Sequence, residues 1–234
     1  MDIKVVLFDL DGTLLPMDQE EFVRAYFGLL SQKMSHYGYN PKELVSAIWQ
    51  GTKAMMKNDG THLNEEVFWR VLKDIYGDRI LESQPYFEEF YHNEFIGVKD
   101  ICSFNPLAKE AVDRIKNKGL RIALATQPIF PHIATQNRIK WAGLEESDFE
   151  LVTYYENIGF SKPSLEYYKE VCKRLNVDPT ECLMVGNDVD DDMIVSSLGM
   201  KTFLLTDCLI NNSDKDISLY HQGTFNDLMN YLNV

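Results

Sequence analysis

The sequence has few basic residues for its length, and this shortage limits the partners that the protein can have. Among 234 residues, 23 Lys and Arg stand against 36 Asp and Glu, which gives a net charge of −13 at pH 7. A surplus of negative charge repels phosphodiester backbones and anionic lipid headgroups. We therefore expect neither nucleic acid nor a membrane as a partner. A local site can still hold a small anion through backbone N–H groups, a lysine or a bound cation.

Cysteine is also scarce, and long apolar runs are missing. The four cysteines lie far apart in the sequence and form no CxxC pair, so neither a zinc ribbon nor a dithiol redox centre is indicated. No run approaches the roughly 18 apolar residues that a membrane-spanning helix needs. No basic and apolar leader precedes the first predicted strand. We therefore expect a soluble, cytoplasmic protein.

The overall composition, with 45% apolar and 25% charged residues, is that of an ordinary globular protein. Short apolar runs typical of buried parallel strands lie at 3–8, 120–125, 182–185 and 202–205. A helix is predicted from Asn105-Pro106 to Gly119, and another over 190–198 before Gly199. Strands that alternate with helices predict a doubly wound, Rossmann-like parallel sheet.

Residues 17–100 interrupt this alternation. Apolar residues at helical spacing predict four helices there and no strand. Their expected buried faces are Phe22, Tyr26, Leu29 and Leu30; Leu44 and Ile48; Val67, Val71 and Ile75; and Phe87 and Phe90. So long a helical segment fits a βαβ sheet only as a separate lobe inserted after the first strand. The sequence therefore predicts an α/β core of residues 1–16 and 101–234 and a smaller all-helical domain of residues 17–100.

Polar side chains follow three of the predicted strands. In an open parallel sheet, ligands bind beyond the carboxyl ends of the strands, so these side chains should meet at one edge. Lys162, which precedes Pro163 at the start of a predicted helix, should join them. The polar residues after the strands are Asp9, Asp11 and Thr13; Thr126 and Gln127; and Asp188, Asp190, Asp191 and Asp192.

This set of residue types fits phosphoryl transfer. Like charges at close range raise one another's pKa, so the carboxylate cluster implies a bound cation, and oxygen ligands suit Mg²⁺. An Asp carboxylate can attack phosphorus, and a second carboxyl two residues on can protonate the leaving oxygen and later activate water. The metal, Lys162 and Thr126 would hold the charge on the phosphoryl oxygens, and Gln127 is a further candidate there.

Four motifs make the chain similar to a known family. They are the DLDGT at Asp9–Thr13 after an apolar strand, Thr126 at a strand end, the Lys162-Pro163 pair, and the acidic loop at Gly186–Asp192. In this order they resemble the haloacid dehalogenase-like hydrolases. The resemblance implies that the inserted helical segment is a cap that closes over the site and selects the substrate.

The resemblance also implies roles for individual residues. Asp9 would be the nucleophile and Asp11 the general acid and base. Mg²⁺ would be held by Asp9, the Asp11 carbonyl and Asp188, and phosphate by Thr126 and Lys162.

The acidic loop departs from the family pattern, because Asn187 stands where the family often has the aspartate, directly before Asp188. We expect Asp188 to be the metal ligand. Asp192, one helical turn on, should steady the phosphate-binding lysine or a metal-bound water. Asp191 is the reserve candidate. Asp190 is assigned to a helix N-terminus, where a carboxylate is favourable.

Two other interpretations fit the residues less well. An Asp-x-Asp pair also begins a calcium-binding EF-hand loop, but the required glycine at the sixth position is Leu14 when counted from Asp9. In the helical segment, Arg24, Lys53 and Lys57 could face the cleft as substrate selectors, and we expect each to be solvated instead.

The sequence therefore predicts a Mg²⁺-dependent phosphatase that hydrolyses a small phosphorylated metabolite through an aspartyl-phosphate on Asp9. Dehalogenases of the resembled family lack the second acid, and phosphonatase-like members replace it, so Asp11 argues against both. Two alternatives stay open. One is a phosphomutase that uses the same aspartates, and the other is a non-catalytic module that binds a metal or a phosphoester.

Overall fold

A parallel five-stranded sheet forms the centre of the protein in a computed structural model, which describes residues 3–234. The strand order is β2-β1-β3-β4-β5. The strands are β1 Val5–Phe8, β2 Arg121–Leu124, β3 Cys182–Gly186, β4 Lys201–Leu205 and β5 His221–Gly223. The predicted fold class is confirmed. The short edge strand β5 was not predicted, because its His-Gln-Gly sequence is neither apolar nor alternating.

Helices cover both faces of the sheet, and the alternation of side chains along β1 shows how. Val6 and Phe8 point to a core shared with α6 and α9, whereas Val5 and Leu7 pack on the side of α8. The helices of this part are α6 Pro106–Asn117, α7 His132–Trp141, α8 Leu165–Arg174 and α9 Phe225–Leu232. The predicted helix from Asn105 to Gly119 is therefore α6, with Asn105 accepting a capping bond from the Leu107 N–H.

Residues 17–101, between the loop after β1 and the start of α6, fold into helices joined by short connections, and this segment is called the helical lobe below. It comprises α1 Gln19–Ser35, α2 Pro41–Met56, α3 Asn64–Tyr76, α4 Arg79–Glu82, α5 Gln84–His92 and a 3₁₀ helix Glu94–Ile101. The chain enters and leaves the lobe side by side: Met17 forms an antiparallel bridge with Cys102, and the Ser103 N–H donates to the Pro16 carbonyl at 2.8 Å. We propose a domain division at these two crossings, with residues 17–100 as the second domain.

The buried face of α3 differs from the prediction. The sequence pattern favoured Val67, Val71 and Ile75, but Ile75 is 43% exposed, and the structure buries Phe68 and Leu72 instead. Gly51 of α2 explains the choice, because a β-carbon there would collide with the Phe68 ring and crowd Leu72. The close approach that this glycine allows buries two larger apolar side chains.

The helices described here include none that could cross a membrane: within residues 3–234, each is too short or too polar for that.

Candidate active site

A cleft of about 240 Å³ opens beyond the carboxyl ends of β1 and β3, beneath α1 and α2. The register explains its place, because Phe8 at the end of β1 pairs with Val185 of β3 and Leu124 of β2, so the loops that follow meet at one edge. Of the residues predicted from the sequence, those that line the cleft are Asp9, Asp11, Gln127, Lys162, Asp188, Asp191 and Asp192.

Lys162 is the central cation of this cleft. Its side chain is only 2% exposed, and its Nζ lies 2.7 Å from Asp9 Oδ1 and 2.7 Å from Asp192 Oδ1. Burial disfavours the ammonium, but the carboxylates of Asp192 and Asp9 outweigh this effect and hold the pKa of Lys162 well above its ordinary value. A charged lysine is therefore fixed beside Asp9.

Asn187, which departs from the family pattern, connects the loops after β1 and β3. Thr13 Oγ1 donates to Asn187 Oδ1 at 2.7 Å, and the Asn187 amide donates to the Cys208 carbonyl at 2.7 Å. Gly12, with φ +81°, packs directly on the Asn187 side chain, and a β-carbon there would overlap it. The buried asparagine thus holds the Asp9 loop against the acidic loop.

The acidic loop itself is a tight turn rather than the predicted helix over 190–198. Asp188 Oδ1 accepts the N–H groups of Asp190 at 2.8 Å and Asp191 at 2.9 Å, and only a 3₁₀ helix, Met193–Leu198, follows. These two bonds have the pattern of a helix N-cap, but the helical segment that follows the turn is 3₁₀ rather than α. Gly199, in the left-handed conformation at φ +77°, ends the segment as expected.

The four aspartates of this loop separate into two groups. Asp188, Asp191 and Asp192 line the cleft, whereas Asp190 lies outside its lining and pairs with Lys215 Nζ at 2.7 Å. Burial raises the pKa of Asp191 to about 6, and the negative charge of Asp188 adds to this shift. Because Asp191 lines the cleft together with Asp188, it stays a candidate metal ligand.

Gln127 and Thr126 are placed differently from each other. The Gln127 side-chain amide donates to the Lys162 carbonyl and accepts from the Lys162 N–H, both at 3.1 Å, so it positions the lysine loop. Thr126 is 1% exposed, and its Oγ1 has no hydrogen-bond partner among the described residues. A buried hydroxyl normally finds a partner, so this atom is a candidate donor to a ligand, although Thr126 itself is absent from the cleft lining.

Arg138 of α7 is a site residue that the sequence analysis missed. Its side chain is fully buried and forms an ion pair with Asp11 Oδ2, and its guanidinium lies 4.5 Å from the centre of the Phe130 ring. A signal was present, since Arg138 lies four residues after Ala134 and three after Thr135, on the apolar side of α7. A charged residue on a buried helix face requires a charged partner.

Arg138 affects the electrostatics of Asp11. Burial raises the pKa of the Asp11 carboxyl, the Arg138 guanidinium opposes this shift, and the outcome is a raised value. The pairing also leaves Asp11 Oδ1 buried without a hydrogen-bond partner in the part of the chain that the structure describes. This oxygen and Thr126 Oγ1 are thus two unpartnered polar atoms at the same edge of the sheet.

The donor set of the cleft suits a magnesium ion by its chemistry. Asp9, Asp188 and the Asp11 carbonyl offer only oxygen atoms, and the unpartnered Asp11 Oδ1 indicates that polar ligands belong there. No group of three His, Cys, Asp or Glu side chains within residues 3–234 is arranged as a ready metal-ligand cluster. The main-chain carbonyl of Asp11 would thus have to complete a set to which Asp9 and Asp188 contribute side chains.

A second cavity, of about 390 Å³, lies between the helical lobe and α7. Its lining includes Glu65, Trp69, Tyr91, His132 and Glu156, and none of the sheet-edge aspartates. The Glu156 carboxylate accepts the His132 N–H at 2.9 Å and 3.0 Å, so its oxygens already have a partner. We assign no role in the chemistry to this cavity.

Comparison with known proteins decides the family. The model of the haloacid dehalogenase-like hydrolase family matches residues 3–195. The chain belongs to this family, as the motifs predicted. One solved structure, the 2-haloacid dehalogenase of Pseudomonas syringae pv. Tomato DC3000, is 20% identical with a TM-score of 0.62, over 99% of this chain and 98% of that one. At this identity the likeness shows the shared fold alone.

Two curated relatives are similar over most of their length. The phosphorylated carbohydrates phosphatase of Thermotoga maritima is 26% identical over 85% of this chain and 83% of its own. The glyceraldehyde 3-phosphate phosphatase of Methanocaldococcus jannaschii is 25% identical over 99% of this chain and 96% of its own.

Proposed function

We propose that this hydrolase is a Mg²⁺-dependent phosphatase of a small phosphorylated metabolite and works through an aspartyl-phosphate on Asp9. The observation that carries the proposal is the contact of Asp9 Oδ1 with Lys162 Nζ at 2.7 Å, with the carboxyl of Asp11 beside it in the same cleft. The two phosphatases among the relatives support it. The cleft volume of about 240 Å³ lies below the roughly 300–1,000 Å³ that drug-sized ligands occupy, which favours a small substrate.

In the first step, an oxygen of Asp9 forms a bond to phosphorus and the ester oxygen leaves. Asp9 Oδ2 is held less closely than Oδ1, because Thr13 Oγ1 donates to Oδ2 at 3.3 Å, whereas Lys162 Nζ donates to Oδ1 at 2.7 Å. The lysine ammonium, in contact with Asp9 Oδ1, offers positive charge to the phosphoryl oxygens. Asp192, on the far side of the ammonium, holds the lysine in place.

Asp11 handles the proton in both steps. Its Oδ1, which is unpartnered, gives a proton to the leaving oxygen in the first step. In the second step, the same carboxylate takes a proton from the water that attacks phosphorus, which releases phosphate and restores Asp9. Arg138 fixes the other oxygen of Asp11, so that the carboxyl group keeps one orientation.

Thr126 and the metal complete the binding of the phosphoryl group. Thr126 Oγ1 is buried and unpartnered, so its hydroxyl can donate to a phosphoryl oxygen. Bound Mg²⁺, held by Asp9, Asp188 and the Asp11 carbonyl, would supply positive charge against the phosphoryl oxygens.

The test is phosphate release from a panel of phosphorylated metabolites with Mg²⁺ and, in parallel, with EDTA. We expect release only with Mg²⁺, and a loss of at least about 10⁴-fold in Asp9→Asn. The matched control is Asp190→Asn, which makes the same chemical change at a residue that pairs with Lys215 outside the cleft lining. An unreactive wild type, or an active Asp9→Asn protein, contradicts the proposal. Transfer of the phosphoryl group to a second hydroxyl identifies a phosphomutase instead.

A further inference from the structure

The part of the cleft that faces the catalytic aspartates is apolar. It is formed by side chains of α1, α2 and the loop after β2, and is called the apolar wall: Phe22, Val23, Trp49, Met56, Ile129 and Phe130. Gln19 and Thr52 are the polar residues that the helical lobe adds to the lining, and both are uncharged. The leaving group of a substrate bound at Asp9 would lie against this wall.

Two residues of the wall are unusually exposed for their size. Trp49 is 43% exposed and Met56 is 44% exposed, and with Thr52 between them they occupy positions three and four residues apart on one face of α2. The neighbouring Ile48 and Met55 point into the core and are buried. α2 therefore contributes a packed side to the protein core and an uncovered apolar side to the cleft.

The charges in the cleft disfavour a second anionic group on the substrate. Lys162 is the cation among the described residues that line it, and both Asp9 and Asp192 already contact that ammonium. Arg24, Lys53 and Lys57 of α1 and the α2 region are exposed and absent from the lining, as the sequence predicted. A carboxylate or second phosphate on the leaving group would face the aspartates without a partner of its own.

A leaving group rich in hydroxyls would also find few hydrogen-bond partners in this cleft. Each hydroxyl that loses water needs a hydrogen-bond partner, and on this side of the cleft Gln19 and Thr52 are the polar side chains that offer one. An apolar group needs no partner and gains from covering Trp49 and Met56.

We propose that the substrate is a phosphate monoester of a small, uncharged and largely apolar alcohol, whose aliphatic or aromatic group covers Trp49 and Met56. This inference rests on the proposed phosphatase function and adds its substrate class. Trp49 and Met56 act as specificity residues, because they contact the leaving group rather than the phosphorus.

The test compares esters whose leaving alcohols have similar acidity, so that chemistry does not mask binding. Benzyl phosphate and hexyl phosphate represent the apolar class, glycerol 3-phosphate the hydroxylated class, and 2-phosphoglycolate the anionic class. Acetyl phosphate, which has almost no leaving group to recognise, reports catalysis alone. We expect kcat/KM for the apolar esters to exceed that for the other two by about tenfold or more.

Two matched substitutions locate the selection. Met56→Lys places a cation in the wall, whereas Ile75→Lys makes the same kind of change on α3, at a residue of similar exposure outside this cleft. We expect Met56→Lys to shift the kcat/KM ratio by about tenfold toward 2-phosphoglycolate over benzyl phosphate, and Ile75→Lys to leave that ratio unchanged.

The results of these assays distinguish a failure of the proposed substrate class from a failure of the proposed phosphatase function. If acetyl phosphate is hydrolysed but glycerol 3-phosphate or 2-phosphoglycolate equals benzyl phosphate in kcat/KM, the substrate class is wrong and the phosphatase stands. If neither acetyl phosphate nor any of the esters releases phosphate, both proposals fail. Equal shifts in Met56→Lys and Ile75→Lys also overturn the role of the wall.

Discussion

The two sides of the cleft are built in opposite ways. On the sheet side, charged and polar residues from separate loops hold one another: Lys162 joins Asp9 to Asp192, and Asn187 joins the loops after β1 and β3. On the lobe side, Trp49 and Met56 are left uncovered and uncharged. The difference indicates that the sheet side fixes the geometry of the reacting groups, whereas the lobe side contacts the leaving group and sets the substrate specificity.

This contrast predicts that the largest single effect lies at Lys162. The substitution Lys162→Met leaves the buried carboxylates of Asp9 and Asp192 without the cation that pairs with both. We expect the free energy of unfolding to fall by about 3–5 kcal/mol, together with loss of phosphatase activity, measured by urea denaturation and phosphate release.

The control for this substitution is Lys169→Met on α8. Lys169 is 50% exposed and pairs with Glu166 at the surface, so its loss should cost less than about 1 kcal/mol and leave activity intact. Equal destabilisation by the two substitutions would show that the buried ion pairs of Lys162 contribute no more to the free energy of unfolding than an exposed pair does.

The next effect is expected at Arg138, which supports the sheet side from α7. Arg138→Met removes the buried partner of Asp11, whose side chain is itself 19% exposed. Because water can partly replace the lost partner, we expect a fall of about 3 kcal/mol in the free energy of unfolding, at the lower end for a buried pair. Arg114→Met breaks an exposed pair with Glu110 and should cost less than about 1 kcal/mol in the same denaturation assay. If Arg138→Met leaves the free energy of unfolding unchanged, Arg138 does not position Asp11.

The smallest expected effect on stability lies at Met56 of the apolar wall, which can be compared with its core neighbour Met55. Met55 is fully buried and Met56 is 44% exposed. We expect Met55→Ala to lower the free energy of unfolding by about 2–5 kcal/mol, whereas Met56→Ala costs less than about 1 kcal/mol. Met56→Ala should instead lower kcat/KM for apolar esters. The reverse order of stabilities would mean that Met56 belongs to the core rather than to the cleft.

The sequence was informative where short motifs follow strands. The carboxyl ends of parallel neighbours meet at one edge, so motifs as distant as Asp9 and Lys162 could be expected to meet before any contact was known. The fold class followed from the same alternation of strands and helices.

The remaining features depend on contacts between distant segments. The pairing of Arg138 with Asp11 joins α7 to the loop after β1, and no local pattern names the partner of a buried arginine. The face of α3 was set by the small Gly51 of a neighbouring helix. In the loop after β3, Asp188 accepts the N–H groups of Asp190 and Asp191, and helical periodicity does not distinguish the 3₁₀ helix that follows from an α-helix.

The central claim is that the phosphoryl group passes through Asp9, and borohydride trapping tests it most directly. The protein is mixed with a hydrolysed ester and Mg²⁺, quenched in acid during turnover and treated with borohydride, which reduces an acyl phosphate to the alcohol. We expect homoserine at position 9 in the peptide that contains Asp9, and none without substrate or in Asp9→Asn. Phosphate release with an unmodified Asp9, or with the reduction product at another carboxylate, would contradict the account.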